Sequence, residues 1–124
     1  MNILVVDNDK EYRDVLGDLL FLHDHTVFKA KGGEEALSRL SEHEIHLIIS
    51  DIGMPGINGI ELYKQLRNDE RYRNIPFLYI SGYPDLRASA VIRNPKIEFV
   101  VGKLTPVREL LELVNDVGVG KGRK

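Results

Sequence analysis

Four short apolar runs, each closing on a polar residue, alternate with segments of helical spacing. Ile3-Leu4-Val5-Val6 leads into Asp7-Asn8-Asp9, and Ile45-His46-Leu47-Ile48-Ile49-Ser50 into Asp51. Ile75-Pro76-Phe77-Leu78-Tyr79-Ile80 leads into Ser81, and Ile97-Glu98-Phe99-Val100-Val101 into Gly102 and Lys103. Short runs this continuously apolar suit parallel strands buried on both faces. Parallel strands need crossovers, which are right-handed. The pattern predicts an α/β domain: a doubly wound parallel sheet with helices on both faces. The strand ends then share one edge, where open α/β sheets place their sites.

The intervening segments carry the helical period. Tyr12, Val15, Leu16, Leu19 and Leu20 mark a helix from Lys10 to Leu22, with Asn8 or Asp9 as its N-cap. Thr26 to Ala30 is a more polar strand, suited to an edge. Gly32-Gly33 precedes a short helix, Glu34 to Leu40. Asn58-Gly59 precedes a third, ending near Arg67-Asn68, and Arg67 to Arg73 reads as a solvated helix end. Pro84 to Ile92 has helical spacing but many small and polar residues. Thr105 and Pro106 suit the cap and first position of a last helix, with stripe Val107, Leu110, Leu111, Val114 and Val117. These make five β–α units in one domain over residues 1–117, with 118–124 expected to be a flexible tail.

Composition narrows the function. The 124 residues fit one domain, and the formal charge of −2 has both signs interspersed. That is not the basic footprint of a nucleic-acid binder. No cysteine is present, so thiolate metal sites, thiol nucleophiles and disulfides are excluded, which suits a reducing cytoplasm. No apolar stretch approaches the ~18 residues of a membrane span, and no secretory leader is expected.

Asp7 and Asp51 close two strands that can be neighbours, ~5 Å apart. Two like charges 4 Å apart repel by ~4 kcal/mol at an effective dielectric of 20. A proton or a cation must relieve that repulsion. Oxygen donors with open positions favour magnesium, which often binds beside a phosphate. Lys103 can neutralise the acids or pair with an incoming phosphoryl group. Ser81 gains meaning only from the spacing of the whole set.

These residues resemble the receiver domains of two-component response regulators, the chemotaxis regulator among them. The similarity lies in Ile3 to Asp9, in Leu47 to Leu62 around Asp51, and in two intervals: Ser81 follows Asp51 by 30 residues and Lys103 by 52. The resemblance implies a flavodoxin-like (βα)5 fold with strand order 2-1-3-4-5. It implies that Asp51 accepts a phosphoryl group from a sensor histidine kinase or histidine phosphotransfer protein. Magnesium would be held by Asp7, Asn8, Asp51 and the backbone carbonyl of Gly53. Ser81 and Lys103 would contact the phosphoryl oxygens. A changed face of fourth helix, fifth strand and fifth helix would signal to an effector, and a phosphorylation-dependent dimer is compatible. Turnover on a free substrate, direct nucleic-acid binding and membrane insertion are not implied.

The chain departs from the family pattern at several positions. Asn8 replaces a metal-binding acid, so magnesium binding is expected to be weaker. Leu104 replaces the proline after the lysine, so a trans Lys103–Leu104 bond is expected, since a non-proline cis bond costs ~2.5–4 kcal/mol. The switch aromatic is replaced by Val100; Phe99 falls on the opposite face unless a bulge intervenes. Tyr83 stands two residues after Ser81, where it could shield the acceptor. Two alternatives remain: a receiver-like interaction module without a phosphorylation cycle, and a haloacid-dehalogenase-type phosphotransferase built on Asp7-Asn8-Asp9. His23/His25 and His43/His46 lack ligand companions at metal spacing.

Overall fold

The computed structural model describes residues 1–82 and 92–118. Five strands make one parallel sheet: β1 Asn2–Val6, β2 Thr26–Ala30, β3 Leu47–Asp51, β4 Phe77–Ser81 and β5 Glu98–Gly102. Four helices lie among the described residues: α1 Lys10–Leu22, α2 Gly33–Glu42, α3 Gly59–Arg67 and α4 Val107–Gly118. The strand order is β2-β1-β3-β4-β5, as the family resemblance implies, with the more polar β2 on an edge. The helix expected between Pro84 and Ile92 falls outside the described residues except for Ile92 itself.

Strand alternation sorts the core into two layers. Ile3, Val5, Leu47, Ile49, Leu78, Ile80 and Phe99 pack against Leu16 and Leu20 of α1 and Leu110, Leu113 and Val114 of α4. Leu4, Val6, Ile48, Phe77 and Tyr79 pack on the other face against Ala36 and Leu40 of α2 and Leu62, Tyr63 and Leu66 of α3. A sheet covered on both sides explains why its central strands carry no polar alternation.

Several boundaries shift for local reasons. The apolar runs begin before their paired strands: Pro76 lacks an N–H for the ladder, so β4 opens at Phe77. Ile45 is core without being strand. Pro106 supplies the carbonyl that accepts the Leu110 N–H, so the last helix starts one residue later than expected. Its stripe shifts as well: Val107 is exposed and Leu113 is buried. Gly118, expected to open the tail, is the last helical residue.

Arg67 corrects the solvated reading of its stretch. Its side chain is 5% exposed and its Nε donates to Glu98 at 2.6 Å, with Glu98 only 1% exposed. Glu98 also accepts from the Tyr63 hydroxyl (2.8 Å) and the Arg93 and Asn94 N–H groups (2.7 and 2.8 Å). Arg67 donates further to the Ile75 carbonyl and lies over the Tyr63 ring. A carboxylate inside a doubly covered strand requires such partners.

Candidate functional site

The site grows from strand parity. Asp7 continues the Ile3, Val5 face of β1; Asp51 continues the Leu47, Ile49 face of β3; Lys103 continues the Phe99, Val101 face of β5. All three belong to the layer that carries α1. Ser81 shares parity with Phe77 and Tyr79, on the opposite layer. Its main chain is nevertheless close: the Lys103 N–H donates to the Ser81 carbonyl at 2.7 Å. The register pairs Val6 with Ser50, Asp51 with Ile80 and Ser81 with Gly102, so these strand ends are level.

Lys103 joins the acids. Its Nζ is 3.0 Å from Asp7 Oδ2 and 3.7 Å from Asp51 Oδ2. Asp7 is buried; its Oδ1 accepts the Asp9 N–H at 2.9 Å. Asp51 is 12% exposed on its side chain and Lys103 21%. Burial, then the neighbouring Asp7 charge, push the Asp51 carboxyl above its ordinary range. Lys103 and the N–H groups of Ile52 and Gly53 oppose that rise. Burial also works against the Lys103 charge, but its hydrogen bond to Asp7 and the charges of Asp7, Asp51 and Asp9 outweigh it, so the ammonium is held above its ordinary value.

The turn after Asp51 is built to be tight. Gly56 has φ +72°, a conformation that favours glycine. At Gly59 an added Cβ would collide with the Asp51 carbonyl oxygen, so α3 meets β3 backbone to backbone. Asn58 caps α3 by accepting the Glu61 N–H, and the Glu61 side chain returns a bond from the Asn58 N–H.

The remaining expected residues lie on the rim. Asn8 and Gly53 are exposed, in the loops that follow β1 and β3. Asp9 is the N-cap of α1 and accepts the Tyr12 N–H at 3.3 Å. Among the described residues no three His, Cys, Asp or Glu side chains form a metal-holding group. What the site offers is two carboxylates that share one ammonium. Their hard oxygen donors fit magnesium, which takes few protein ligands and keeps its waters.

Tyr12 was missed as a site residue, because its helical spacing reads as core. Its ring lies under the Lys103 ammonium, 4.6 Å from Nζ to centroid. Burial and the charges of Asp7 and Asp51 push its phenol up to about 12, so it keeps its proton at neutral pH.

Two expectations about departures are met. No peptide bond among the described residues is cis, so Lys103–Leu104 is trans. The β4–β5 register is unbroken from Glu98 to Gly102, so no bulge turns Phe99 to the other face. Phe99 is core on the α1/α4 side, and Val100 packs on the other. Tyr83 lies outside the described residues.

Residues 3–115 match the family described as response regulator receiver domain. The chain belongs to that family. This receiver domain is 32% identical over 120 residues to the response regulator protein FleR of Pseudomonas aeruginosa, covering 96% of the chain but only 25% of FleR. It is 26% identical over 113 residues to the polar-differentiation response regulator DivK of Brucella ovis, covering 91% of the chain and 92% of DivK. Among solved structures it resembles the response regulator TrrA of Thermotoga maritima in complex with Mg2+ and BeF, with 31% identity and a TM-score of 0.78 over 94% of this chain and 97% of that one. Membership makes the chain a module of two-component signalling. No helix among the described residues is long and apolar enough to cross a membrane.

Proposed function

We propose that this receiver is a phosphorylatable switch with Asp51 as its acceptor. One observation carries the reading: the Lys103 ammonium lies against Asp7 and Asp51 at the carboxyl edge of the sheet. An Asp51 oxygen attacks the phosphorus of a phosphohistidine in line. An O–P bond forms, the N–P bond breaks, and the imidazole leaves with the electron pair. The incoming group brings about −1.5 to −2 charge, which Lys103 is placed to meet. Ser81 is the candidate hydroxyl for a second phosphoryl oxygen.

Asp7, Asp51, the Asn8 amide oxygen and the Gly53 carbonyl are the groups that would hold magnesium. When bound, the ion neutralises charge on the phosphoryl oxygens. The donor is a sensor histidine kinase or a histidine phosphotransfer protein, and the output passes to an effector through the face expected from the helix before β5, β5 itself and the last helix, α4. The same reading places the chain in the cytoplasm, in keeping with its lack of cysteine.

A second reading, an interaction module with no phosphoryl cycle, is favoured by one observation: the metal-binding acids number two, with Asn8 in the third position. The phosphotransferase alternative would use Asp7 as nucleophile, yet the Asp7 side chain is only 3% exposed, against 12% for Asp51. Intact-mass measurement after treatment with acetyl phosphate and Mg2+ separates the three. A mass gain lost in Asp51→Asn supports the switch. No gain supports the interaction module, and a gain retained in Asp51→Asn but lost in Asp7→Asn supports the enzyme.

A further inference from the structure

Resting on the switch reading, we propose that Tyr12 is a positioning residue whose ring face holds the Lys103 ammonium at the acceptor carboxylate. Lysine is a compact charge on a flexible four-carbon stem, so its aim depends on what surrounds the tip. The chain beyond it gives little help. The next residue is Leu104, 93% exposed, behind a trans bond. Among the described residues, three contacts define the ammonium: Asp7 at 3.0 Å, Asp51 at 3.7 Å and the Tyr12 ring at 4.6 Å.

These contacts differ in what the reaction does to them. Asp51 exchanges its carboxylate charge for an acyl phosphate. Asp7 is also a candidate metal ligand. The ring face keeps its negative quadrupole throughout, because the phenol stays protonated. Tyr12 is itself set in place from the acidic loop: Asp9 caps α1 and takes the Tyr12 N–H, which fixes the first turn. The loop that supplies Asp7 thus also fixes the residue beneath Lys103. A leucine at position 12 would fill similar space without a π face, and a phenylalanine would keep the face without the hydroxyl.

The test uses the full chain. Asp51 labelling by acetyl phosphate with Mg2+ is timed by mass spectrometry in wild type, Tyr12→Phe, Tyr12→Leu, Lys103→Met and Tyr12→Leu/Lys103→Met. In parallel, NMR follows the ε-methylene protons of Lys103 for the upfield shift that a ring beneath them produces. Tyr12→Leu should label about 2- to 5-fold more slowly, the rate equivalent of a partly exposed cation–π contact. Tyr12→Phe should stay within about 2-fold of wild type and keep the upfield shift, which Tyr12→Leu loses. In the Lys103→Met background, Tyr12→Leu should have no further effect. Equal rates for the leucine and phenylalanine variants, an additive double variant, or no upfield shift in wild type would each overturn the proposal. Wild type that never labels would overturn the switch reading instead, while the upfield shift still decides whether the ring holds the ammonium.

Discussion

Replacing Arg67 by methionine removes the cation from a buried carboxylate while keeping most of the side-chain volume. Glu98 is 1% exposed, with Arg67 Nε at 2.6 Å. Breaking a buried pair from one side costs about 3–5 kcal/mol, because the remaining charge is stranded. Three donors stay with Glu98: the Tyr63 hydroxyl and the Arg93 and Asn94 N–H groups. They place the expected cost at the lower end, about 3 kcal/mol. Small domains unfold with a urea dependence of about 1–3 kcal/mol per molar, so the midpoint should fall by roughly 1.5 M with an unchanged slope. Urea titration followed by far-UV circular dichroism measures this directly. The double variant Arg67→Met/Glu98→Gln should be more stable than the two single costs summed, since a neutral amide has no charge to strand. A midpoint shift below about 0.3 M, or simple additivity, would refute the account of Glu98 as a charge dependent on Arg67. Asp51 labelling should be nearly unchanged, because Glu98 opens β5 and Lys103 lies beyond its far end.

Acid should expose the same group. Burial alone would raise the Glu98 carboxyl, but its bonds from Asn94, Arg67, Tyr63 and Arg93 hold it below its ordinary value of 4.5. A depressed folded pKa contributes stability that is complete above the unfolded value and is lost as pH falls through the folded one. Urea midpoints at pH 7 and pH 3 should therefore differ more in wild type than in Glu98→Gln, and equal differences would contradict the assignment. Gly59→Ala should be strongly destabilising and should slow Asp51 labelling, because its methyl has no room against the Asp51 carbonyl; a thermal midpoint equal to wild type would contradict that contact. Asn8→Asp adds a third acid at the rim and should tighten magnesium binding, read as a lower half-saturation concentration in a metal titration. No gain would show that position 8 does not face the ion.

The fold was legible where one local rule was enough. Ile3 to Val6 and Leu47 to Ile49 are apolar on both faces, so they had to be central parallel strands. Thr26 to Ala30 mixes in polar residues, so an edge followed. Tertiary pairing was harder to see. Arg67 sits in a charge-rich stretch, and its partner is 31 residues later, inside an apolar run. The visible signal was Glu98 itself, a charge in a strand covered on both faces. Tyr12 was hidden for a different reason. An aromatic residue at helical spacing looks like core from one chain segment, and only the arrival of β5 brings Lys103 over its ring. Asp7, Asp51 and Lys103 could be grouped from the sequence because each stands at the carboxyl end of a strand, where a parallel sheet collects its chemistry.

The central claim is that Asp51 accepts the phosphoryl group. An acyl phosphate is reduced by borohydride to the alcohol, which converts a phosphorylated aspartate to homoserine. Treating the chain with acetyl phosphate and Mg2+, reducing it and mapping the peptides should place homoserine at position 51. Homoserine at Asp7 or Asp9, or in no peptide, would contradict the account.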